Sequence, residues 1–503
     1  MKSGVVATLG AASVILAACN VGPDYHEPAI SVPPRFAEPH VPAAPAQADI
    51  TKWWTTFQDA ELNSLIARAL SANLDLMSSA SRVRQAREQV IVAGATEWPS
   101  VNVSGIGANL HSDSSPLGAL AGGGASTGGG ASGSGSGGAS ASGPTNIRLY
   151  ALGLDASWQI DIFGGTRRAV EAAQANADAA LWDLHDGEVT ITSEIADDYV
   201  VLRAAQARIA QLNSELKDEL QLFGLVRDRA NAGFVTQLDV NQQKSIVETV
   251  RAQIPELQTQ ADAMIHAIAV LLAQPPESLA QELSATAPIP VAPPGLPATL
   301  PADLLRQRPD IREAERKLAA ATANEGVAIA DLYPKLDLLG AATFASNGVG
   351  NLLSTRNFNT LGAGSIIWPV FAGGQIRANI RASKEAELQA YLAWQKSVLA
   401  ALQDVEDALA RYDNEQRHEQ ALADSERAAE SSETISRQQY VAGLVTFVNV
   451  LSAETTLLSA RDQLIQSRAA LSEDLATIYK ALGGGWNETA VDWKTRPQDP
   501  ENK

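Results

Sequence analysis

The sequence is poor in the residues from which most protein chemistry is built. One cysteine, Cys19, stands in 503 residues, so no intramolecular disulfide and no thiolate metal site can form. The histidines, His26, His40, His111, His185, His266 and His418, include no pair at a metal-ligand spacing such as i, i+4. No lysine lies between Lys52 and Lys217, which leaves the glycine-rich stretch without the GK[ST] of a phosphate cradle. Gly-x-Ser-x-Gly spellings occur only by composition in that stretch, outside any strand-to-helix context. We therefore place no catalytic residue, no cofactor and no metal, and expect a protein that is not an enzyme. After residue 18 no run of 18 apolar residues occurs, and over the full 503 residues the mean hydropathy is −0.06. A transmembrane helix is thereby excluded, and any membrane span must be β. Positive charge is also scarce. Removing residues 1–18 takes away Lys2 alone, leaving 37 basic against 57 acidic groups, a net of −20. That balance argues against a nucleic-acid partner. Carboxylates lining a pore would enrich cations, although for most of them solvation of long helices is as good an account.

What is present begins at the N-terminus. Lys2, the apolar stretch from Val5 to Leu16, and Leu16-Ala17-Ala18-Cys19 form a secretory signal over residues 1–18, too short to span a membrane. Leu-Ala-Ala-Cys resembles the bacterial lipobox, which implies acylation of Cys19; several acyl chains at about 0.8 kcal/mol per buried methylene would hold the chain to lipid. Asn20, where a lipoprotein kept in the inner membrane would be expected to carry Asp, implies by the same resemblance sorting to the outer membrane.

The chain repeats itself. Ala232-Gly233-Phe234-Val235-Thr236 returns as Ala442-Gly443-Leu444-Val445-Thr446, an offset of 210 that also pairs Arg227 with Arg437 and Leu272 with Leu482. Trp98-Pro99-Ser100-Val101 matches Tyr333-Pro334-Lys335-Leu336, and Asp75 matches Asp310, both at an offset of 235. The Gly/Ser tract from about Gly118 to Gly143 accounts for the difference and reads as a loop. Each repeat reads as helix, strand, loop, strand, long helix, tight turn, helix.

From Tyr150 to Ile162, apolar Tyr150, Leu152, Leu154, Ala156, Trp158, Ile160 and Ile162 alternate with mostly small or polar residues, an amphipathic strand. Tyr150 and Trp158 lie about 26 Å apart along it, close to the spacing of two aromatic girdles. Leu336, Leu338, Ala342 and Phe344 repeat the pattern less cleanly. Beyond Gly164-Gly165, about 65 residues without proline predict a helix of about 97 Å. Ile195, Leu202, Ile209, Leu216 and Phe223 recur every seven residues along it as a coiled-coil seam. Its counterpart runs from about Gln375 to Tyr440. Shorter helices, about residues 59–94 and 237–272, sum to a similar length and can lie end to end beside a long one, which implies a hollow helical cylinder. Gly233 and Gly443 supply the left-handed residue that closes a helix. The proline-rich stretches Pro23–Pro45 and Pro288–Pro301 read as extended connectors. One chain offers four strands, natural membrane barrels have at least eight, and unpaired edges cannot face lipid, so closure demands oligomerisation in two or three copies.

Cys19 to Tyr25 with Pro28, Leu305-Arg306-Gln307-Arg308-Pro309-Asp310-Ile311, and Tyr479-Lys480-Ala481-Leu482-Gly483-Gly484-Gly485-Trp486 together resemble the TolC/OprM outer-membrane efflux family, in its NodT-like lipoprotein branch. The likeness covers nearly all of the chain after the signal. It implies an α+β membrane protein: a homotrimer whose 12-stranded β-barrel continues into a 12-helix tunnel, docked to a periplasmic adaptor and an inner-membrane pump of RND or MFS type, and serving as a passive exit duct. The expected divisions are 1–18 signal, 19–58 lipidated segment, 59–272 first repeat, 273–301 linker, 302–482 second repeat and 483–503 tail. By the same resemblance, Val448 falls on an apolar constricting ring and Ser452 on a ring that is often Asp, so a cation-selective aperture is in doubt. Tyr440 and Asp239 match a pair that hydrogen-bonds between hairpins, and Val445 stands where an Arg can brace that pair. Gly233, Phe234, Gly443 and Leu444 form the turns offered to the adaptor. For the gate residues ordinary packing near a turn is the competing reading, and for the whole chain a self-standing diffusion channel or a purely structural lipoprotein. Cys19→Ser is predicted to abolish incorporation of labelled palmitate and to leave the signal uncleaved; a labelled, processed variant would refute the anchor.

Overall fold

The computed structural model describes residues 20–29, 43–44, 50–112, 145–291, 296–297 and 307–487; Cys19, Leu305, Arg306 and the Gly118–Gly143 tract lie outside them. The strands are β1 (Ala43–Ala44), β2 (Ser100–Ser112), β3 (Thr145–Ile160), β4 (Leu296–Pro297), β5 (Lys335–Ser346) and β6 (Phe358–Ile367). The α-helices are α1 (Ala60–Ala72), α2 (Leu74–Ala95), α3 (Gly165–Asn231), α4 (Gln237–Leu271), the single turn α5 (Ala280–Leu283), α6 (Pro309–Ala330), α7 (Gln375–Val441) and α8 (Phe447–Ala481). The chain divides into two units, one of residues 1–24, 89–173 and 322–385, the other of 25–88, 174–321 and 386–503.

In the first unit β2, β3, β5 and β6 form one antiparallel sheet in that order, with Ser112 opposite Thr145, Leu152 opposite Phe344 and Phe344 opposite Phe358. β3 starts at Thr145, five residues before the alternation visible in the sequence. Apolar members of that alternation face outward, Leu152 at 39% and Leu154 at 50% exposure, and every residue of β6 is exposed. The sheet ends on β2 and β6, whose outer edges have no partner strand among the described residues. Two indoles fix where helix turns into strand. Trp158 Nε1 donates to the Glu97 carbonyl at 2.9 Å, and Trp368 Nε1 donates to the Leu332 carbonyl at 3.0 Å. Each acceptor lies just past a helix end, where carbonyls lose their intrahelical donors, and two residues before a proline. The segment after Cys19 is strapped down by Arg168, whose side chain is 2% exposed and reaches the Val21 carbonyl at 3.3 Å, Asp24 at 2.5 Å and Glu171 at 2.8 Å. Gly22 (φ +92°) has to be glycine here, since a Cβ would meet Gly326 Cα at 2.6 Å.

The second unit is helical and its main core gathers Trp53, Leu62, Leu65, Ile195, Leu202, Val405 and Ile478, with Trp53 stacked on Tyr479 at 5.4 Å. The heptad seam feeds several clusters. Ile195 and Leu202 are fully buried, while Ile209, Leu216 and Phe223 are half-buried against separate groups of apolar side chains. The expected single helix over 59–94 is two. Asn73 interrupts it, accepting from the Asp75 and Leu76 amides through Oδ1 and donating to the Leu271 carbonyl at 2.9 Å through Nδ2. Pro255 sits inside α4, which continues through it. The proline-rich connectors meet, β1 pairing in parallel with β4. The Arg308-Pro309-Asp310 motif has a local purpose: Arg308 donates to the Ala481 carbonyl at 2.5 Å, one of the orphaned acceptors at the end of α8, and bonds Asp310 and Asp404. Asn73→Ala removes a cap and leaves a half-buried carbonyl without its donor, so it is predicted to lower stability by about 1–2 kcal/mol, read as an earlier loss of helical circular dichroism on heating.

Candidate functional site

Two helical hairpins end side by side in the second unit. α3 turns into α4 at Gly233 (φ +77°) and α7 into α8 at Gly443 (φ +74°). In both, the amide after the glycine reaches back five residues, Phe234 to the Arg229 carbonyl and Leu444 to the Gln439 carbonyl, each at 2.9 Å. This is the left-handed closure the glycines predict. The two re-entries differ. Thr236 forms a capping box with Asp239, whereas Thr446 makes no side-chain cap bond and Asn449 occupies the position of Asp239.

The hairpins are joined by an apolar cluster of Leu222, Val226, Val240, Tyr440, Phe447 and Val450, with Val445 half-buried against it. The Tyr440 and Phe447 rings lie 5.4 Å apart. Arg229 crosses from one hairpin to the other: its guanidinium stands 5.0 Å from the Tyr440 ring centroid and donates to the carbonyls of Tyr440 (3.4 Å) and Val441 (3.2 Å). It thus caps the C-terminal carbonyls of α7 with a cation, favourable for the helix dipole.

The expected hydrogen bond between Tyr440 and Asp239 is not formed within the chain. Asp239 Oδ2 accepts instead from the Thr236 amide and hydroxyl, both at 2.8 Å, because a carboxylate at the third position of a helix is drawn back to its own N-terminus. The Tyr440 hydroxyl is buried without a partner among the described residues. Val445 is half-buried against the apolar cluster and supplies no charge, while Arg229 of the other hairpin holds the Tyr440 ring and carbonyl. Sequence reading missed Arg229, whose counterpart at the 210 offset is Gln439; that change of charge between two otherwise matching turns was the available signal.

Val448 is 53% exposed and Ser452, one turn further along α8, is also exposed. Ser452 lines a groove of about 520 Å³ between α7 and α8 with Ser425, Ala429, Asn449 and Thr456. Phe234 (81%) and Leu444 (75%) stand out at the tips of the turns. The sequence-predicted gate and turn residues are therefore on the two hairpin ends, Tyr440 in the cluster joining them, Asp239 in a cap, and Val448, Ser452, Phe234 and Leu444 at the surface, while Cys19 lies outside the described residues.

The profile described as outer membrane efflux protein matches residues 65–274 and 300–484. Nodulation protein T of Rhizobium leguminosarum bv. viciae is 30% identical over 476 residues, 94% of this chain and 92% of that protein. The pyoverdine export outer membrane protein OpmQ of Pseudomonas aeruginosa is 32% identical over 489 residues, 95% and 96% of the two chains. Among solved structures, the outer-membrane channel OprN is similar with a TM-score of 0.83 at 31% identity, over 93% of this chain and 100% of its own. Arg229→Met is predicted to loosen the two turns, seen as cleavage by a protease within 226–236 and 438–446 about tenfold faster than in wild type; unchanged cleavage would show that the cluster alone holds them.

Proposed function

The chain belongs to the outer membrane efflux protein family and is an outer-membrane channel component of efflux systems; we propose that it acts as the passive exit duct of a tripartite assembly, shut at the Gly233 and Gly443 turns until partners open it. The observation that carries this reading is the pair of hairpin ends joined at the turns by a small apolar cluster and a bridging arginine, while large apolar side chains stay exposed at their tips. Such a closure is weak enough to be opened by a partner whose hairpins cover Phe234 and Leu444, the contact assigned to a periplasmic adaptor with an inner-membrane pump of RND or MFS type behind it.

The open edges of β2 and β6 support closure with further copies. Lipid leaves no water to satisfy an unpaired strand edge, and three copies of four strands would give the 12-stranded barrel expected from the sequence. The matching element order of the two halves, with α3 and α7 each 67 residues and α4 and α8 each 35, supports two structural repeats per chain and a 12-helix tunnel. Acylation of Cys19 would add a lipid anchor at the head of the strap that Arg168 holds. The domain divisions expected from the sequence stand as part of the same proposal.

In this reading Val448 and Ser452 point into the aperture, and a ring of neutral hydroxyls at Ser452 repels and binds less charge than carboxylates would. The Tyr440 hydroxyl, unbonded within the chain, finds its acceptor on a neighbouring copy. The duct does not fix the cargo: one relative is named for pyoverdine export and another for nodulation. Purified wild type in planar bilayers is predicted to conduct weakly and Val448→Ala/Tyr440→Phe at least about threefold more, with Tyr440→Phe alone giving part of the rise. Wide conductance unchanged by either substitution would favour a self-standing diffusion channel and remove the gate from these turns.

A further inference from the structure

A few turns from the glycines, four helices bring charged groups into one buried junction. Glu219 of α3 is 1% exposed, Gln243 of α4 is fully buried and Glu454 of α8 is 3% exposed. Arg437 of α7 pairs with Glu433 of its own helix (2.7 Å) and with Glu454 (3.2 Å), while Gln243 Nε2 donates to the Glu219 carboxylate. The remaining charges facing the junction are Glu215, with Asp218 beside it, on α3 and Arg461 on α8. Arg461 reaches Glu215 at 3.7 Å but is shared with Glu426 at 3.3 Å and Glu430 at 2.8 Å. Arg437 is thus left as the main countercharge of Glu219, Glu433 and Glu454. Glu454 Oε2 and Gln243 Oε1 are buried with no hydrogen-bond partner among the described residues, and Glu433 Oε1 and Arg437 Nε, though ion-paired, form no hydrogen bond.

An unbalanced buried carboxylate is costly, and the cheapest remedy is to take up a proton, which both removes a charge and turns a bare acceptor into a donor. The junction is also not a packing device common to both halves. At the 210 offset Glu219, Gln243, Glu433 and Glu454 correspond to Ala429, Ala453, Phe223 and Lys244. Where Ala429 and Ala453 stand in the second hairpin, the groove that Ser452 lines is left open.

We propose that this junction is a proton-operated latch between the two hairpins, holding them together while one of its carboxyls is protonated and releasing them when that proton leaves. Burial, and after it the charge of Glu219, pushes Glu454 up to about 8 against the pull of Arg437; burial pushes Glu219 up to about 7 against the bond from Gln243. Both lie above the ordinary glutamate value of 4.5, so the stabilisation is complete in acid below that value and is lost as pH rises through about 7 to 8. The latch itself stands on the junction; that its release widens the aperture rests on the reading proposed above.

Hydrogen exchange of the full-length protein in detergent, at about pH 6 and about pH 8.5 and corrected for the intrinsic exchange rate, tests it. In wild type, segments 215–226 and 447–458 are expected to exchange about tenfold faster at the higher pH, while Glu454→Gln and Glu219→Gln stay slow at both. Equal protection at the two pH values in wild type, or a pH step that persists undiminished in both variants, overturns the latch. Bilayer conductance over the same range separates the second question: a rise with pH that Glu454→Gln abolishes supports both latch and aperture. An exchange step without a conductance change keeps the latch and removes the aperture from these turns.

Discussion

Everything else in this chain follows from a sheet that ends in two open edges. β2 and β6 each present a row of amides and carbonyls with nothing paired to them among the described residues, and exposed apolar side chains such as Val101, Val103, Leu361 and Ile366 stand along those edges. In water such edges invite aggregation, and in lipid they are not tolerated at all. Four strands cannot close on themselves, and in the assembly proposed above other copies of the same sheet would meet the edges. The long helices that follow β3 and β6 bury only part of their surface inside the chain, as the half-buried Ile209, Leu216 and Phe223 beside the fully buried Ile195 and Leu202 illustrate.

The same constraint explains how the parts of each unit are fixed. Helix-to-strand turns carry carbonyls that neither ladder satisfies, and Trp158 and Trp368 satisfy them with indole N–H groups whose rings remain suited to a boundary between apolar and wet surroundings. Arg308 does the equivalent work at the end of α8 and Asn73 at the break between α1 and α2. In each case a long side chain or an amide from a distant segment reaches a helix end, so the ends also become the points at which distant segments are held together.

Much of this was legible in the sequence and the remainder was not, for physical reasons. The glycine turns, the absence of proline over α3, and the alternation around Leu152 and Leu154 are local signals, each imposed by backbone conformation or by a period of two. The break at Asn73 was hidden because the apolar pattern continues across it and the acceptor of its side chain, the Leu271 carbonyl, is 198 residues away. Asp239 was read as a partner for Tyr440, yet Thr236-x-x-Asp239 was a capping signature in plain view, and the local interaction prevailed. Arg229 and the carboxylates of the latch needed a fold before they could be seen as neighbours.

The places where the two halves differ are as informative as the places where they agree. Gly233 and Gly443, or Trp158 and Trp368, do the same job twice, as required when two halves must continue into one sheet and one set of helices. Near the turns the halves diverge: Arg229 against Gln439, Asp239 against Asn449, Glu219 and Gln243 against Ala429 and Ala453. One hairpin end is capped, filled and supplies the bridging cation; the other has an uncapped re-entry, an open groove and accepts that bridge on its carbonyls. Two identical ends would share one stability and loosen together. In the duct proposed above, unequal ends would let the weaker one move while the stronger keeps its shape, and the contacts between them, one arginine, a small apolar cluster and a junction short of positive charge, are of the kind that a modest change of charge or a competing apolar surface can exchange.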